Sequence, residues 1–341
     1  MELTAELEQG LVKAGGAARG PLHLGSVQLR NGASWGNLKR YELVAEESPM
    51  PVAQTCGGRA LSYELRGSGE LLVCHPGGPG FSAAYLADLG GLDRWRTLVL
   101  LNPRGTGGSD PARSPGEYAL ADYVEDVEQL RRHLGAERID LLGHSHGSLV
   151  SVLYAASRPG HVGRLVLAGT AARFDEQQLT AVHEAMLERA SEPWFEDARA
   201  AMEDETAGRF DDDAELGRLV AREMPFYFAR YGDRERAFVA RMLEEPVHAA
   251  ALRQFNVHEF QTLDLRLALA DVTAQTLVVA GQEDFITGPA ACREVADGIR
   301  SARLEVIDGV GHLHWVEAPE AFSASVADFL ASGPGGHNGP R

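Results

Sequence analysis

Arg138-Ile139-Asp140-Leu141-Leu142-Gly143-His144-Ser145-His146-Gly147-Ser148-Leu149-Val150 is the stretch on which the reading of the chain turns. Its first five residues read as a short strand. Residues 145–157 are small and helical in pattern. Between them Gly143 to Gly147 matches G-x-S-x-G, a serine on a tight strand-to-helix turn. The chemistry requires that placement. The turn lifts the hydroxyl out of the backbone, the glycines let strand and helix pass closely, and the first amides of the helix face any anion formed beside it. A glycine-rich turn holding an incidental serine is the bland alternative, and the strand before and helix after count against it.

Working outward, the same alternation recurs. Arg59 to Leu65, Glu70 to Cys74 and Arg96 to Leu101 read as strands, and 121–134 as a helix closed by Gly135. Arg164 to Ala168 is a further strand. From about 173 to 265 the pattern is charged and helical with no clear strand. Alternation resumes with strands Thr276 to Ala280 and Arg303 to Ile307 and helices near 289–299 and 319–331. Strands alternating with helices give an α/β fold, a mostly parallel central sheet with helices on both faces. The expected organisation is an N-terminal extension over 1–48 (a helix over 3–14, then a hairpin), a core over 49–172 and 266–331, an inserted helical cap over 173–265, and a disordered tail over 332–341.

A nucleophilic serine needs a base and a group to hold that base. Gly311-His312 follows the last strand, and Gly281-Gln282-Glu283-Asp284 follows the strand before it. The base is therefore His312, and the acid is Asp284 or Glu283. Serine, acid and histidine stand at three strand ends in the chain order of the α/β-hydrolase fold. After the strand ending at Cys74 comes His75-Pro76-Gly77-Gly78-Pro79-Gly80. A tetrahedral intermediate needs backbone donors at its oxyanion, and the N–H groups of Gly78 and His146 are the candidates.

The segments CHPGGPG, NPRGTGGSD, GHSHGS, GQEDFITGP and GVGHLHWVEAPEAF resemble, in order and spacing, the α/β-hydrolase fold peptidases and esterases around proline iminopeptidase. The likeness spans roughly residues 50–331. It implies the triad Ser145, Asp284 and His312, with Asp284 favoured over Glu283 because the acid precedes a proline-containing helix start. The chain departs from that group by carrying His146 where a tryptophan is usual, and NPRGTGG where DQRGSG is usual. The cap glutamates that bind a free amine in such peptidases have Trp194-Phe195-Glu196 as their nearest counterpart, with Trp194 and Glu196 as candidates. A solvated helix face accounts for those residues equally well. Arg104 reads as a structural hydrogen-bond donor.

Composition narrows the partners. The 341 residues hold 32 Lys and Arg against 49 Asp and Glu, a formal net charge of −17, which repels phosphate backbones and anionic membranes. The cap runs Glu203-Asp204-Glu205 and Asp211-Asp212-Asp213 are either solvated helix starts or an entrance attracting an ammonium group. Phe226, Tyr227, Phe228, Tyr231, Phe255 and Phe260 pack the cap or line an apolar pocket. Cys56, Cys74 and Cys292 are odd in number and widely spaced, giving neither a disulfide framework nor a metal cluster. With an acidic N-terminus and no long apolar stretch, the expected location is cytoplasmic. No cofactor is expected, and the expected substrate is a small molecule or short peptide. Three functions remain open: an aminopeptidase acting through a Ser145 acyl-enzyme, an esterase, thioesterase or lactonase using the same mechanism, and a non-hydrolytic enzyme or ligand-binding protein on the same fold.

Overall fold

The structure is a computed structural model and describes residues 27–31, 41–45, 51–55 and 58–332. The helix expected over 3–14 and, Ser332 excepted, the tail expected to be disordered lie outside the described residues. Two units meet in sequence at residue 50. In the first, β1 (Val27–Asn31) pairs antiparallel with β2 (Tyr41–Ala45), with Val27 opposite Ala45.

In the second unit β3 (Val52–Gln54), β4 (Ala60–Gly67), β5 (Leu71–His75), β6 (Thr97–Leu101), β7 (Ile139–His144), β8 (Val162–Ala168), β9 (Gln275–Gly281) and β10 (Ala302–Ile307) make one eight-stranded sheet. The order is β3-β4-β6-β5-β7-β8-β9-β10. Strands β5 to β10 run parallel, while β4 is antiparallel to β6 and β3 to β4. This is the mostly parallel α/β sheet read from the sequence.

The core strands are continuous apolar runs because both faces are covered. Along β5, Val73 packs into one cluster with Val99, Leu141, Leu165 and Val278, against α1 (Leu120–His133), α2 (His146–Ser157) and the helix at 289–298. Its neighbours Leu72 and Cys74 point the other way, into a cluster with Leu98, Leu142, Val166 and Leu277. The period of two is the pleat of the strand.

After β8 the chain leaves the sheet through α3 (Glu176–Leu187), α4 (Phe195–Thr206), α5 (Asp213–Glu223), α6 (Asp233–Met242) and α7 (Ala249–His258). It returns beside its point of departure: Arg173 and Asp264 form an antiparallel bridge, and the Leu265 amide donates to the Ala172 carbonyl at 2.7 Å. Helices α8 (Arg266–Leu269), α9 (Pro289–Gly298), α10 (His314–Glu317) and α11 (Pro319–Ala331) complete the unit. Phe322, Val326 and Phe329 of α11 cover the face opposite α1, α2 and α9. Among the described residues no helix is long and apolar enough to cross a membrane.

Arg104, on the loop after β6, is buried and forks both ways onto the Asp126 carboxylate of α1 at 2.7 Å. It also donates to the Glu117 and Asp122 carbonyls. A planar fork on a carboxylate holds that loop against the helix.

Candidate active site

Ser145 stands between β7 and α2 at φ 52° and ψ −121°, a conformation that L-residues avoid at a cost of order 1–3 kcal/mol. The surroundings impose it. Its amide donates to the Ala168 carbonyl of β8 at 3.0 Å, and its carbonyl accepts from the Ser148 amide at 2.8 Å. A Cβ on Gly147 would stand less than 3.0 Å from the carbonyl oxygens of His75 and Pro76, so only glycine lets α2 pass beneath β5. Gly147→Ala is expected to cost at least about 1–3 kcal/mol, since backbone cannot move aside as a side chain would. A lower urea midpoint at unchanged slope would register it.

His312 follows β10 and is buried, as is Asp284 after β9. His312 Nδ1 lies 2.8 Å from Asp284 Oδ2, and since a carboxylate only accepts, Nδ1 is the donor. Asp284 Oδ1 accepts from the amides of Ile286 and Thr287, both at 3.0 Å, and Oδ2 from the Thr287 hydroxyl at 2.8 Å. Burial alone would push this carboxyl up. The His312 imidazole beside it and the Thr287 amide outweigh burial and hold it well below the usual carboxylate range. Glu283, the other acid considered from sequence, makes no contact with His312 in the structure's hydrogen bonds; its carbonyl accepts from Arg189. The His312 amide donates to the Tyr227 carbonyl at 2.8 Å. Glu317 clamps this region, with Oε2 on the Gly311 amide at 2.7 Å and Oε1 on the Ala229 amide at 2.8 Å.

Gly77 lies over the nucleophile, where a Cβ would stand 2.8 Å from that of Ser145. Gly78, at φ +112°, lines the cavity beside Ser145. His146 is the first residue of α2, so its amide has no partner within the helix. Its ring is buried edge-on against Tyr123 and Phe255.

Ser145, His144, His312 and Gly78 line one cavity of about 110 Å³ with Phe81, Tyr85, Val220, Met224, Tyr227, Met242, Leu252, Ile286 and Leu313. Besides the serine, the two histidines and the two tyrosines, its lining carries two carboxylates from successive helices, Glu205 of α4 and Glu223 of α5. Glu223 is 4% exposed, and its Oε2 has no hydrogen-bond partner. Burial, then the charge of Glu205, pushes the Glu223 carboxyl well above its ordinary range. Burial likewise pushes Glu205 up, to about 7.

Trp194 and Glu196 are not among the residues lining this cavity. Trp194 borders a surface hollow with Arg189 and Arg230, its ring edge-on to Phe226. Glu196 is 76% exposed and paired with Arg199 of its own helix. The acidic runs divide in the same way. Asp212 caps α5 through the Glu215 amide and Asp213 accepts from the Ala249 amide, whereas Glu205 turns inward. Glu223 carried a sequence signal of its own, because it continues the apolar stripe Leu216, Leu219, Val220 at helical spacing. Among the described residues no group of three or more His, Cys, Asp or Glu side chains is placed to hold a metal ion.

Residues 70–319 match the alpha/beta hydrolase fold family. A protein of Variovorax paradoxus bearing the name carbamate hydrolase RutD is 30% identical over 287 residues, covering 81% of this chain and 98% of its own. Proline iminopeptidase of Lactobacillus delbrueckii is 27% identical over 285 residues, covering 77% and 90%. A hydrolase structure from Pseudomonas aeruginosa superposes with a TM-score of 0.65 at 26% identity, covering 84% of this chain and all of that one.

Proposed function

Because the chain belongs to the alpha/beta hydrolase fold family, we propose that it is a serine hydrolase forming an acyl-enzyme on Ser145, and that it removes a small N-terminal residue carrying a free amine, as an aminopeptidase of the proline iminopeptidase kind. The observation that carries this reading is the pair Glu205 and Glu223 in the same small cavity as Ser145 and His312. A buried carboxylate oxygen without a partner is costly. An ammonium group would donate to it and supply the countercharge that both carboxylates lack. The helices of residues 173–265 act as the cap that holds this pair over the core.

His312 Nε2 takes the proton of the Ser145 hydroxyl as its oxygen attacks the scissile carbonyl, and Asp284 holds Nδ1–H and stabilises the imidazolium. The amides of Gly78 and His146 receive the oxyanion. Collapse breaks the C–N bond and His312 returns the proton to the leaving amine. Water, deprotonated by His312, then attacks the ester, releasing the acid and regenerating Ser145.

A second reading keeps the mechanism and changes the substrate to a small ester or carbamate. The apolar walls of the cavity favour it, as does the RutD name of the 30% identical relative. A panel separates the two: aminoacyl arylamides of proline, alanine and bulkier residues, their N-blocked counterparts, and short aryl esters. The expected outcome is cleavage of small free-amine arylamides, lost on N-blocking. Cleavage of esters alone would overturn the aminopeptidase reading.

A further inference from the structure

Three hydrogen bonds run from the loop of Gly77 and Gly78 to the loop of the base. The Gly77 amide donates to Tyr85 Oη at 2.6 Å, Tyr85 Oη lies 2.7 Å from His144 Nδ1, and His144 Nε2 lies 3.1 Å from the His312 carbonyl oxygen. The protons on this chain can be assigned one by one. A carbonyl only accepts, so His144 Nε2 carries the hydrogen. The ring is 2% exposed and pressed against His312 and Trp315, with centroids 4.6 and 4.7 Å away. Burial, then the neighbouring His312 and His314, hold it well below the ordinary histidine range, so it is neutral. A neutral ring protonated at Nε2 has a lone pair at Nδ1, so the Tyr85 hydroxyl must donate there. Its oxygen is then left to accept the Gly77 amide. The direction is fixed throughout: Gly77 to Tyr85, Tyr85 to His144, His144 to His312.

We propose that Tyr85 and His144 are positioning residues that lock the oxyanion loop and the base loop into one register. The proposal rests on the reading of Ser145 and His312 given above. Gly77 is one residue from the oxyanion donor Gly78, and the bonded carbonyl belongs to the base itself. One tyrosine oxygen therefore sets the aim of a backbone donor and, through the imidazole, the main chain that carries the proton acceptor. Such groups act through others, and displacements well under an ångström at the reacting atoms are what they prevent. Packing holds the Tyr85 ring independently, against Phe81 and Trp315, so loss of the hydroxyl removes the bonds and leaves the ring in place.

The test is the rate at which a fluorophosphonate probe modifies Ser145, which needs nucleophile, base and oxyanion donors but no knowledge of the natural substrate. Tyr85→Phe is expected to slow modification about tenfold to a hundredfold, a smaller loss than removal of an oxyanion donor itself. His144→Ala is expected to slow it at least as much, and His144→Gln, whose amide can still donate toward the His312 carbonyl, to recover part of that loss. Thermal midpoints of the three variants identify any loss due to unfolding, and Tyr85→Phe, the mildest change, keeps the test informative if His144→Ala does not fold. A Tyr85→Phe rate within twofold of wild type, or no difference between His144→Gln and His144→Ala, would overturn the proposal. No modification of the wild-type protein would overturn the Ser145 mechanism itself and the positioning role with it.

Discussion

Ser145→Ala is expected to lower kcat by about 10⁴-fold or more, because triad members act as a unit and loss of the nucleophile forfeits nearly all that the unit supplies. Any substrate that the wild-type protein cleaves serves for the measurement. Ser145→Gly makes the comparison sharper. The serine is held at φ 52°, where alanine is strained as serine is and glycine is not. The glycine variant is expected to lose the same activity while gaining about 1 kcal/mol of stability in a urea melt. Loss of activity with a gain in stability would show that the residue is kept for its chemistry. Undiminished turnover in either variant would exclude an acyl-enzyme at this serine.

The second large effect is expected at Glu223. Glu223→Gln keeps shape and polarity but cannot carry charge. It is expected to reduce kcat/KM for free-amine arylamides on the order of 10²-fold, as loss of one partner from a buried charged contact does. N-blocked substrates should change little. Stability gives an independent check. The folded-state value of this carboxyl is raised, so the native state holds a proton that the unfolded chain gives up above about pH 4.5. Its contribution to stability is therefore present below that pH and falls as pH rises toward the raised value. Glu223→Gln removes this dependence, and the variant should gain stability relative to wild type between pH 5 and pH 8, on the order of 1 kcal/mol or more. A parallel pH profile would mean that the buried carboxylate is neutralised in some other way. Asp284 has the opposite sign. Its lowered value gives stability that is present at neutral pH and lost only on acidification.

Most of the sheet was legible because both of its faces are covered, which turns each core strand into an apolar run that no helix period fits. The strand β3 was not, since Val52-Ala53-Gln54 is too short to show a period and lies at an edge. Ser145 and His312 could be named as candidates from order alone, because strand ends at one edge of a parallel sheet are neighbours in space; order left the acid between Asp284 and Glu283, and the family resemblance chose Asp284. The residues that tune them could not. Tyr85 and His144 are 59 positions apart and meet only because β5 and β7 are adjacent. Thr287, whose amide and hydroxyl both donate to the Asp284 side chain, has no pattern of its own. The acidic stretch over 173–265 drew attention by its runs, yet charge in a run mostly seeks water. The acid facing the cavity from α5 stands alone among leucines and valines, where hydrophobic spacing leads one to expect another apolar side chain.

The hydrogen bonds of the Glu317 carboxylate would also have a kinetic consequence. It grips the amide before His312 with one oxygen and the amide of Ala229 with the other, while the His312 amide itself donates to the Tyr227 carbonyl. A movement that lifted residues 227–229 to admit substrate would pull apart the support of the proton acceptor. Along that route the molecule would be either accessible or reactive, and not both at once. A water molecule or stray ester arriving while the door stands ajar would meet a disarmed serine, so selectivity would come from timing as well as from the shape of the cavity.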